Sequence, residues 1–588
     1  MSVVLGVSPS HDASACLFQD GKLVAAISEE RLSRVKGDGF KFPQLAIDAV
    51  LKMARLTRRD VDHVATTYGW IPERYVRRPL MRKELERRIA RWLRRSILGR
   101  ASRSHTHLEQ ILRHIRDRAP HTKFDDYFRR ELFLSGEGFR PDAGVHFIDH
   151  HVTHAVVAAF YSGYPEAAVV TMDGQGDLNV HHTSNVFRSG ELRRVHVSDT
   201  PGASPGLFYG AITQLLGFQE LRHEGKVLGL AAFGDPAHLR AKFRHAMYLT
   251  PDEHRLTCDF VGLPFPQPRR MEFLAQQING HRREDVAAAA QIVFEDAIIS
   301  LVQKFLNESR MQRLALNGGV FANVKLNKRL AELPGVDGLF VFPGMSDTGN
   351  SVGAALAVLD RMEPGFLMRN AQPLQDLYWG PESTDGEIRA VLDSRSLAYE
   401  HLDKSSLVER AAKAVHSGRV IGWFQGRMEF GPRALGNRSI VARATDATIN
   451  ASLNQRLERN EFMPFAPSAL SEHAEDLFEN VAKCRHAAEF MTVCLDVKQA
   501  WRDRVPAVVH VDGSARPQLV RKSTNPLYWS LIDRYRQLSG IPLVLNTSFN
   551  VHEEPIVCTP QEAVAALIDN RIDALAIGSY WVERPAVS

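Results

Sequence analysis

The chain has 588 residues, 44% hydrophobic and 24% charged, with a formal net charge of +5. Its length exceeds a single core and, at about 150 residues per domain, implies two to four domains. The composition excludes a disordered, collagen-like or disulfide-stapled chain, and so small a charge gives no independent sign of a nucleic-acid binder.

The first apolar run, Val3 to Val7, meets Pro9, His11 and Asp12 at once and has no basic stretch before it, so no export signal is expected. No uncharged apolar run reaches the ~18 residues of a membrane span. Five scattered cysteines (Cys16, Cys258, Cys484, Cys494 and Cys558) form no CxxC pair, which suits a reducing compartment and speaks against a cysteine zinc site. A cytoplasmic protein is the expectation.

Three strands open the chain: Val3 to Val7, Ala13 to Phe18, and Leu23 to Ile27 after the turn Asp20-Gly21-Lys22. An Asp-Gly pair between apolar runs marks a hairpin, because glycine accepts the positive φ of such turns. An arginine-rich stretch at 74–130 follows, in which Leu85, Ile89, Trp92, Leu93 and Ile97 recur at helical steps and predict an amphipathic helix over 81–98. That helix is either an insertion with a solvated basic face or a docking surface for an anionic acceptor or membrane surface. The opening layout then returns. An apolar strand at 167–172 ends in Asp173-Gly174-Gln175-Gly176-Asp177, a polar strand runs near 181–187, and Ser189-Gly190-Glu191 turns into a third strand at 192–197. Two such units are either unrelated hairpins or two related lobes facing a nucleotide, as in the actin and sugar-kinase type of ATPase.

Helical patterns cover 283–307 and 351–362, and Glu363-Pro364-Gly365 begins a polar linker that runs to Pro373. The expected domains are therefore 1–365 and 374–588. The second alternates strands (420–424, 542–545) with helices (406–417, 560–570) and reads as a further α/β domain.

Within Asp149-His150-His151-Val152-Thr153-His154, His150 and His154 are four apart, so a helix starting there places both imidazoles on one face. Asp173 and Asp347 each end a strand beside glycines, and Leu316-Asn317-Gly318-Gly319-Val320 adds a third glycine loop. Glycines let a phosphate approach the backbone while the acid holds a cation. Any one of these loops could be a plain tight turn; together they point to an ATP cleft, with Gly174, Gly176, Asn317, Gly318, Gly319, Gly349 and Asn350 at the nucleotide.

Longer segments carry a family resemblance: His11-Asp12-Ala13-Ser14-Ala15, DHHVTHA from Asp149, HEGKVLGLAAFG from His223, LNGGVFANVKLN from Leu316, GRMEFGPRALGNRS from Gly426, HVDGSARPQ from His510 and LNTSFNVHEEPIVCTP from Leu545. Almost end to end, the chain resembles the ATP-dependent O-carbamoyltransferases that carbamoylate nodulation factors and antibiotic sugars. The resemblance implies a duplicated actin-like N-terminal domain that transfers the carbamoyl group and a C-terminal domain that makes carbamoyl-adenylate from carbamoyl phosphate and ATP. It implies a divalent metal, Fe(II) or Mg, on His150, His154, Asp173 and Asp347, and His11 as the base on the acceptor hydroxyl. It further implies catalysis by Arg427, and cofactor contacts from Asp12, Glu224, Lys226, Arg433, Arg438, Arg516, Asn546 and Ser548. One departure stands out. Where many members carry a lysine and an arginine, this chain has Leu457 and Met463, leaving Arg456 or Arg459 to compensate.

Two other readings compete. The two lobes by themselves fit a small-molecule kinase, which leaves the C-terminal domain unexplained. The arginine stretch fits a tRNA-modification or nucleic-acid-associated protein, but no aromatic-rich basic strand accompanies it. The expected partners are thus ATP, carbamoyl phosphate and a small-molecule hydroxyl on a sugar or natural product, with no nucleic acid.

Overall fold

The computed structural model describes residues 2–67, 73–75, 128–177, 180–200, 202–250, 255–259, 268–458 and 463–584. The helix expected at 81–98 and Arg459 lie outside the described residues.

The first sheet has five strands: β1 (Val3–Ser8), β2 (Ser14–Gln19), β3 (Lys22–Ser28), β4 (His63–Thr67) and β5 (Gly144–Ile148), in the order β3-β2-β1-β4-β5. β1 pairs antiparallel with β2 and parallel with β4. Its continuous apolar run follows from this central place, since every residue of β1 is buried. Asp20 and Gly21 both have positive φ, 51° and 74°, which closes the predicted hairpin.

The second sheet repeats the plan with β6 (Glu166–Met172), β7 (His182–Arg188), β8 (Glu191–Ser198), β9 (Arg313–Asn317) and β10 (Gly338–Val341), in the order β10-β9-β6-β7-β8. β6 is antiparallel to β7 and parallel to β9. Numbered within each lobe, both sheets run 3-2-1-4-5 with the same strand senses. The duplication is real, and the N-terminal part has the actin-like, sugar-kinase-like architecture; unrelated hairpins are excluded.

Two helices lie between the sheets. α2 (His150–Ser162) and the later α6 (Asn350–Met362) are buried along almost their whole length. They touch backbone to backbone: a Cβ on Gly353 would stand 2.0 Å from the Thr153 carbonyl oxygen, and one on Gly6 would stand 2.1 Å from that of Ser351. Around them lie α1 (Gln44–Met53), α3 (Glu224–Ala231), α4 (Arg283–Ser309) and α5 (Val324–Ala331).

A second α/β unit follows, as expected. Eight strands, β11 (Tyr399–His401), β12 (Ile421–Phe424), β13 (Arg438–Ala442), β14 (Ala466–Leu470), β15 (Gln518–Val520), β16 (Leu543–Ser548), β17 (Ala574–Ile577) and β18 (Tyr580–Glu583), form one mixed sheet in the order β11-β18-β17-β12-β13-β16-β14-β15. The helices packed with it include α7 (Lys404–His416), α8 (Pro526–Ser539) and α9 (Pro560–Ile568). Its core continues into that of the second lobe. Arginines pin the first lobe to it: Arg31 donates to the Gly431 carbonyl at 2.9 Å, and Arg34 to those of Pro555 and Ile556 at 2.8 Å.

Candidate active site

The Asp149 side chain accepts from the Val152 N–H at 2.9 Å and so starts α2 immediately before His150. One turn later His154 falls on the same face, with the two Nε2 atoms 3.2 Å apart. Asp173 follows β6, and Asp347 opens the single turn before α6. Gly318, at φ 111°, lets the loop after β9 close onto β6: a Cβ there would lie 2.0 Å from the Met172 carbonyl oxygen.

His150 Nε2 and His154 Nε2 lie 3.3 and 3.2 Å from Asp173 Oδ2, and 3.4 and 3.5 Å from Asp347 Oδ1. All four donor atoms fall within 4.8 Å of one another, on buried or nearly buried side chains. Four ligands at ~2.0–2.1 Å from a tetrahedral centre stand about 3.3–3.4 Å apart. The observed edges fit one metal ion, and two imidazoles with two carboxylates suit Fe(II) better than Mg²⁺, which prefers an all-oxygen octahedral shell. Electrostatics agree. Burial opposes protonation of His150, yet the charges of Asp347, Asp173 and Asp177 raise its pKa to about 10. Burial likewise opposes ionisation of Asp347, but His150 and His11 hold it well below the usual carboxylate range. The cluster is a field that demands positive charge.

His11 joins this cluster through a shared acid. Its Nδ1 faces Asp347 Oδ2 at 3.2 Å and its Nε2 faces Asp12 Oδ2 at 3.3 Å. Burial would lower its pKa, but Asp12 and Asp347 raise it well above the ordinary value. Asp347 thus presents one oxygen to the histidine pair and the other to His11.

The glycine loops surround the cluster. A Cβ on Gly176 would meet the His151 and His150 rings at 2.8 and 2.9 Å, one on Gly319 would meet Asp173 Oδ1 at 3.1 Å, and one on Gly349 would meet the Gly344 carbonyl at 2.4 Å. Gly174 has no such constraint, its nearest neighbour being 3.6 Å from the added carbon. The two asparagines correct an expectation. Asn317 and Asn350 are fully buried; Asn317 Nδ2 donates to the His154 carbonyl at 3.1 Å, and Asn350 Nδ2 donates to Asp347 Oδ1 at 3.2 Å. Their amides hold the cluster from inside the fold.

Glu224 and Lys226 sit on α3 at the junction with the second unit. Glu224 accepts from the Leu221 N–H at 2.7 Å, and Lys226 Nζ is 3.4 Å from His552 Nε2. Beside them His223 Nε2 is 2.7 Å from Glu553 Oε1.

In the C-terminal unit two of the candidate arginines bond to backbone carbonyls of the protein. Arg427 donates through Nε to the Gly380 carbonyl at 3.0 Å and through Nη2 to those of Val24 and Trp379 at 2.9 and 2.5 Å, which ties β3 to the segment entering the second unit. Arg438 is fully buried over the Phe424 ring and donates to the carbonyls of Gln425, Asn437, Gly426 and Pro381. The oxygens of a tight glycine loop had to be satisfied inside the protein, and the Arg438 guanidinium satisfies those of Gln425, Gly426 and Asn437. Glu429, not anticipated as a site residue, organises the same loop by accepting from the N–H groups of Leu435, Asn437 and Arg438. The Asn546 amide is likewise internal, bonded to the Ala434 carbonyl, Ser468 Oγ and Gln518 Oε1. Ser548 ends β16 opposite Ser439, and Arg433 is half-buried on the loop before β13.

Arg516, of the C-terminal candidates, lines a cleft. This cleft is lined by Leu228, Lys325, Met463, His510, Ser514 and Arg516, among others. Sequence reading missed Lys325 and His510 as site residues, although both lie inside the matching segments.

A duplicated actin-like part carrying a buried two-histidine, two-aspartate centre, joined to a second α/β unit with a cleft of its own, defines the class. A family model for the carbamoyltransferase N-terminus matches residues 3–356, and one for the carbamoyltransferase C-terminus matches residues 412–584. The chain belongs to the carbamoyltransferase family, and it is a transferase whose acceptor is a small molecule. Nodulation protein NolNO of Sinorhizobium fredii is 32% identical over 98% of this chain and 80% of its own length. Nodulation protein NolO of Bradyrhizobium diazoefficiens is 36% identical over 75% of this chain and 79% of its own. Component A of (R)-2-hydroxyglutaryl-CoA dehydratase from Acidaminococcus fermentans aligns over 61% of this chain and 97% of that chain, with 16% identity and a TM-score of 0.34, too low to add to the strand orders above. Among the described residues no helix is long and apolar enough to cross a membrane.

Proposed function

We propose that this carbamoyltransferase activates carbamoyl phosphate with ATP and passes the carbamoyl group to a hydroxyl of a sugar or natural product. The C-terminal unit cleaves carbamoyl phosphate with water to carbamate and phosphate. A carbamate oxygen then attacks the α-phosphate of ATP, giving carbamoyl-adenylate and releasing pyrophosphate. At the centre between the lobes the acceptor oxygen attacks the carbamoyl carbon, its proton passes to His11, and AMP leaves. The observation that carries this reading is the Asp347 carboxylate shared between His11 and the histidine pair.

Each residue has a task that follows from its contacts. Asp12 and Asp347 flank both nitrogens of His11 and orient the ring, and a cation held by Asp347 would offset the carboxylate charge that otherwise keeps His11 protonated, leaving it able to take the acceptor's proton. A cation held by His150, His154, Asp173 and Asp347 would supply Lewis acidity toward the departing AMP phosphate. Arg516, with Arg433 and Ser548 as further candidates, would offset phosphate charge in the second unit. Arg427 and Arg438 act there as positioning residues that keep the loop of 425–438 in shape, and Glu224 and Lys226 line the junction the adenylate would cross.

The test separates the half-reactions. His11→Asn is expected to retain carbamoyl-phosphate-dependent ATP–pyrophosphate exchange while losing acceptor carbamoylation. Wild-type protein with metal restored that shows no such exchange would refute activation through an adenylate.

A further inference from the structure

The cleft of the C-terminal unit has a wall that the C-terminal unit does not supply. Leu228 of α3 and Lys325 of α5 enter it from the N-terminal part, opposite Met463, His510, Ser514 and Arg516. Asn323 caps α5 through the Leu326 N–H at 3.0 Å, which puts Lys325 in the first turn and aims Lys325 and Lys328 at the second unit. Lys328 pairs with Asp496 at 2.6 Å. Lys325 pairs with Asp512, whose carboxylate is fixed by Ser514 Oγ at 2.6 Å, the Ser514 N–H at 3.0 Å and His510 Nδ1 at 3.3 Å. Of these two lysines only Lys325 borders the cleft.

The two missing charges have physical explanations. Leu457 is 1% exposed within the core, where a lysine could not keep its charge hydrated. Met463 packs on the apolar group Leu228, Val324 and Cys494, and it borders the cleft beside Lys325. Arg456 does not fill the gap, because it is engaged with Asp573 at 2.9 Å. Among the described residues, the lysine and arginine that line the cleft are Lys325 and Arg516.

We infer that Lys325, reaching across from the N-terminal part, binds a substrate phosphate in this cleft and supplies the positive charge absent at Met463. The inference rests on the phosphate chemistry proposed above. An ammonium offers three donors on a flexible stem, so Lys325 keeps its pair with Asp512 while donating to a phosphate oxygen. Adenylate formation then requires both units, since one closes the binding site of the other.

Calorimetric titration of full-length protein at low salt tests this, with carbamoyl phosphate and ATP in separate arms that show whose phosphate is held. Lys325→Met is expected to weaken one of the two by about 10–100-fold, as for a lost charge-assisted contact. Lys328→Met, which removes the neighbouring inter-unit ion pair but no cleft residue, is expected to change either by less than about twofold. Adding Met463→Arg to Lys325→Met should restore most of the loss, which repair of a merely structural contact would not do. Unchanged affinity in Lys325→Met, an equal loss in Lys328→Met, failure of Met463→Arg to restore binding, or no binding of either ligand by wild type would each overturn the inference. Phosphate binding that depends on Lys325 in a protein without pyrophosphate exchange would instead sink the adenylate reading and leave Lys325 in place.

Discussion

At the centre between the lobes, each of the four donor side chains lies at the end of an element that the chain repeats: His150 and His154 open α2, Asp173 follows β6, and Asp347 precedes α6. In the cleft of the second unit, the polar wall combines Arg516 and His510 with a lysine nearly two hundred residues upstream. The first site is built by local rules, a cap, a helical step and glycine loops, inside a scaffold whose two helices touch backbone to backbone. The second is built by docking. A site of the first kind tolerates little change around it, whereas one of the second kind can exchange a charge on one wall for a charge on the other.

The largest effect should come from the centre. His154 is fully buried, and His154→Ala is expected to lower metal affinity by more than ~100-fold, beyond the 10–100-fold typical of supporting residues. Elemental analysis reads this directly, and full occupancy in the variant would remove His154 from the ligand set. Next is Arg438→Met, which leaves three loop carbonyls and that of Pro381 without their partner and should destabilise the protein by about 3–5 kcal/mol in urea unfolding. A stable variant that has lost only phosphate affinity would show that Arg438 serves ligand after all. Asn350→Ala removes the amide held against Asp347 and should weaken metal binding by about 10–100-fold in a chelator competition, with the fold retained.

The smallest expected effect lies far from the centre. Burial raises Glu489 from 4.5 to about 7, against the pull of Arg521. A carboxyl whose pKa rises on folding favours the folded state below about pH 4.5 and loses that contribution as the pH climbs through its folded value. Stability should therefore fall by about 1–3 kcal/mol between pH 4.5 and 7 relative to Glu489→Gln. Parallel pH profiles for the two proteins would show that burial there is incomplete.

Sequence reading found the histidine pair because a helix has a fixed step, and it found the lobes because Asp20-Gly21 and Ser189-Gly190 can hardly be anything but tight turns. It placed Arg427 and Arg438 at phosphates and Asn317, Asn350 and Asn546 at ligands, whereas the folded chain shows the groups that these side chains hold within the protein. A guanidinium or amide serves a backbone carbonyl as well as a phosphate, and only the folded chain shows which acceptor lies within reach.

The sequence by itself determined the three-strand opening of each lobe, the alternation of the second unit and the helical step that pairs His150 with His154, because periodicity, turn chemistry and capping act over a few residues; the full donor set came with the family resemblance. Tertiary structure alone decided that Asp347 is shared between His11 and the histidines, that Arg438 is turned onto the carbonyls of its own loop, and that Lys325 closes a cleft in the other unit. Those facts depend on distances between residues far apart in the chain. Such distances are set when apolar surfaces pack and buried polar groups take the partners that packing leaves them.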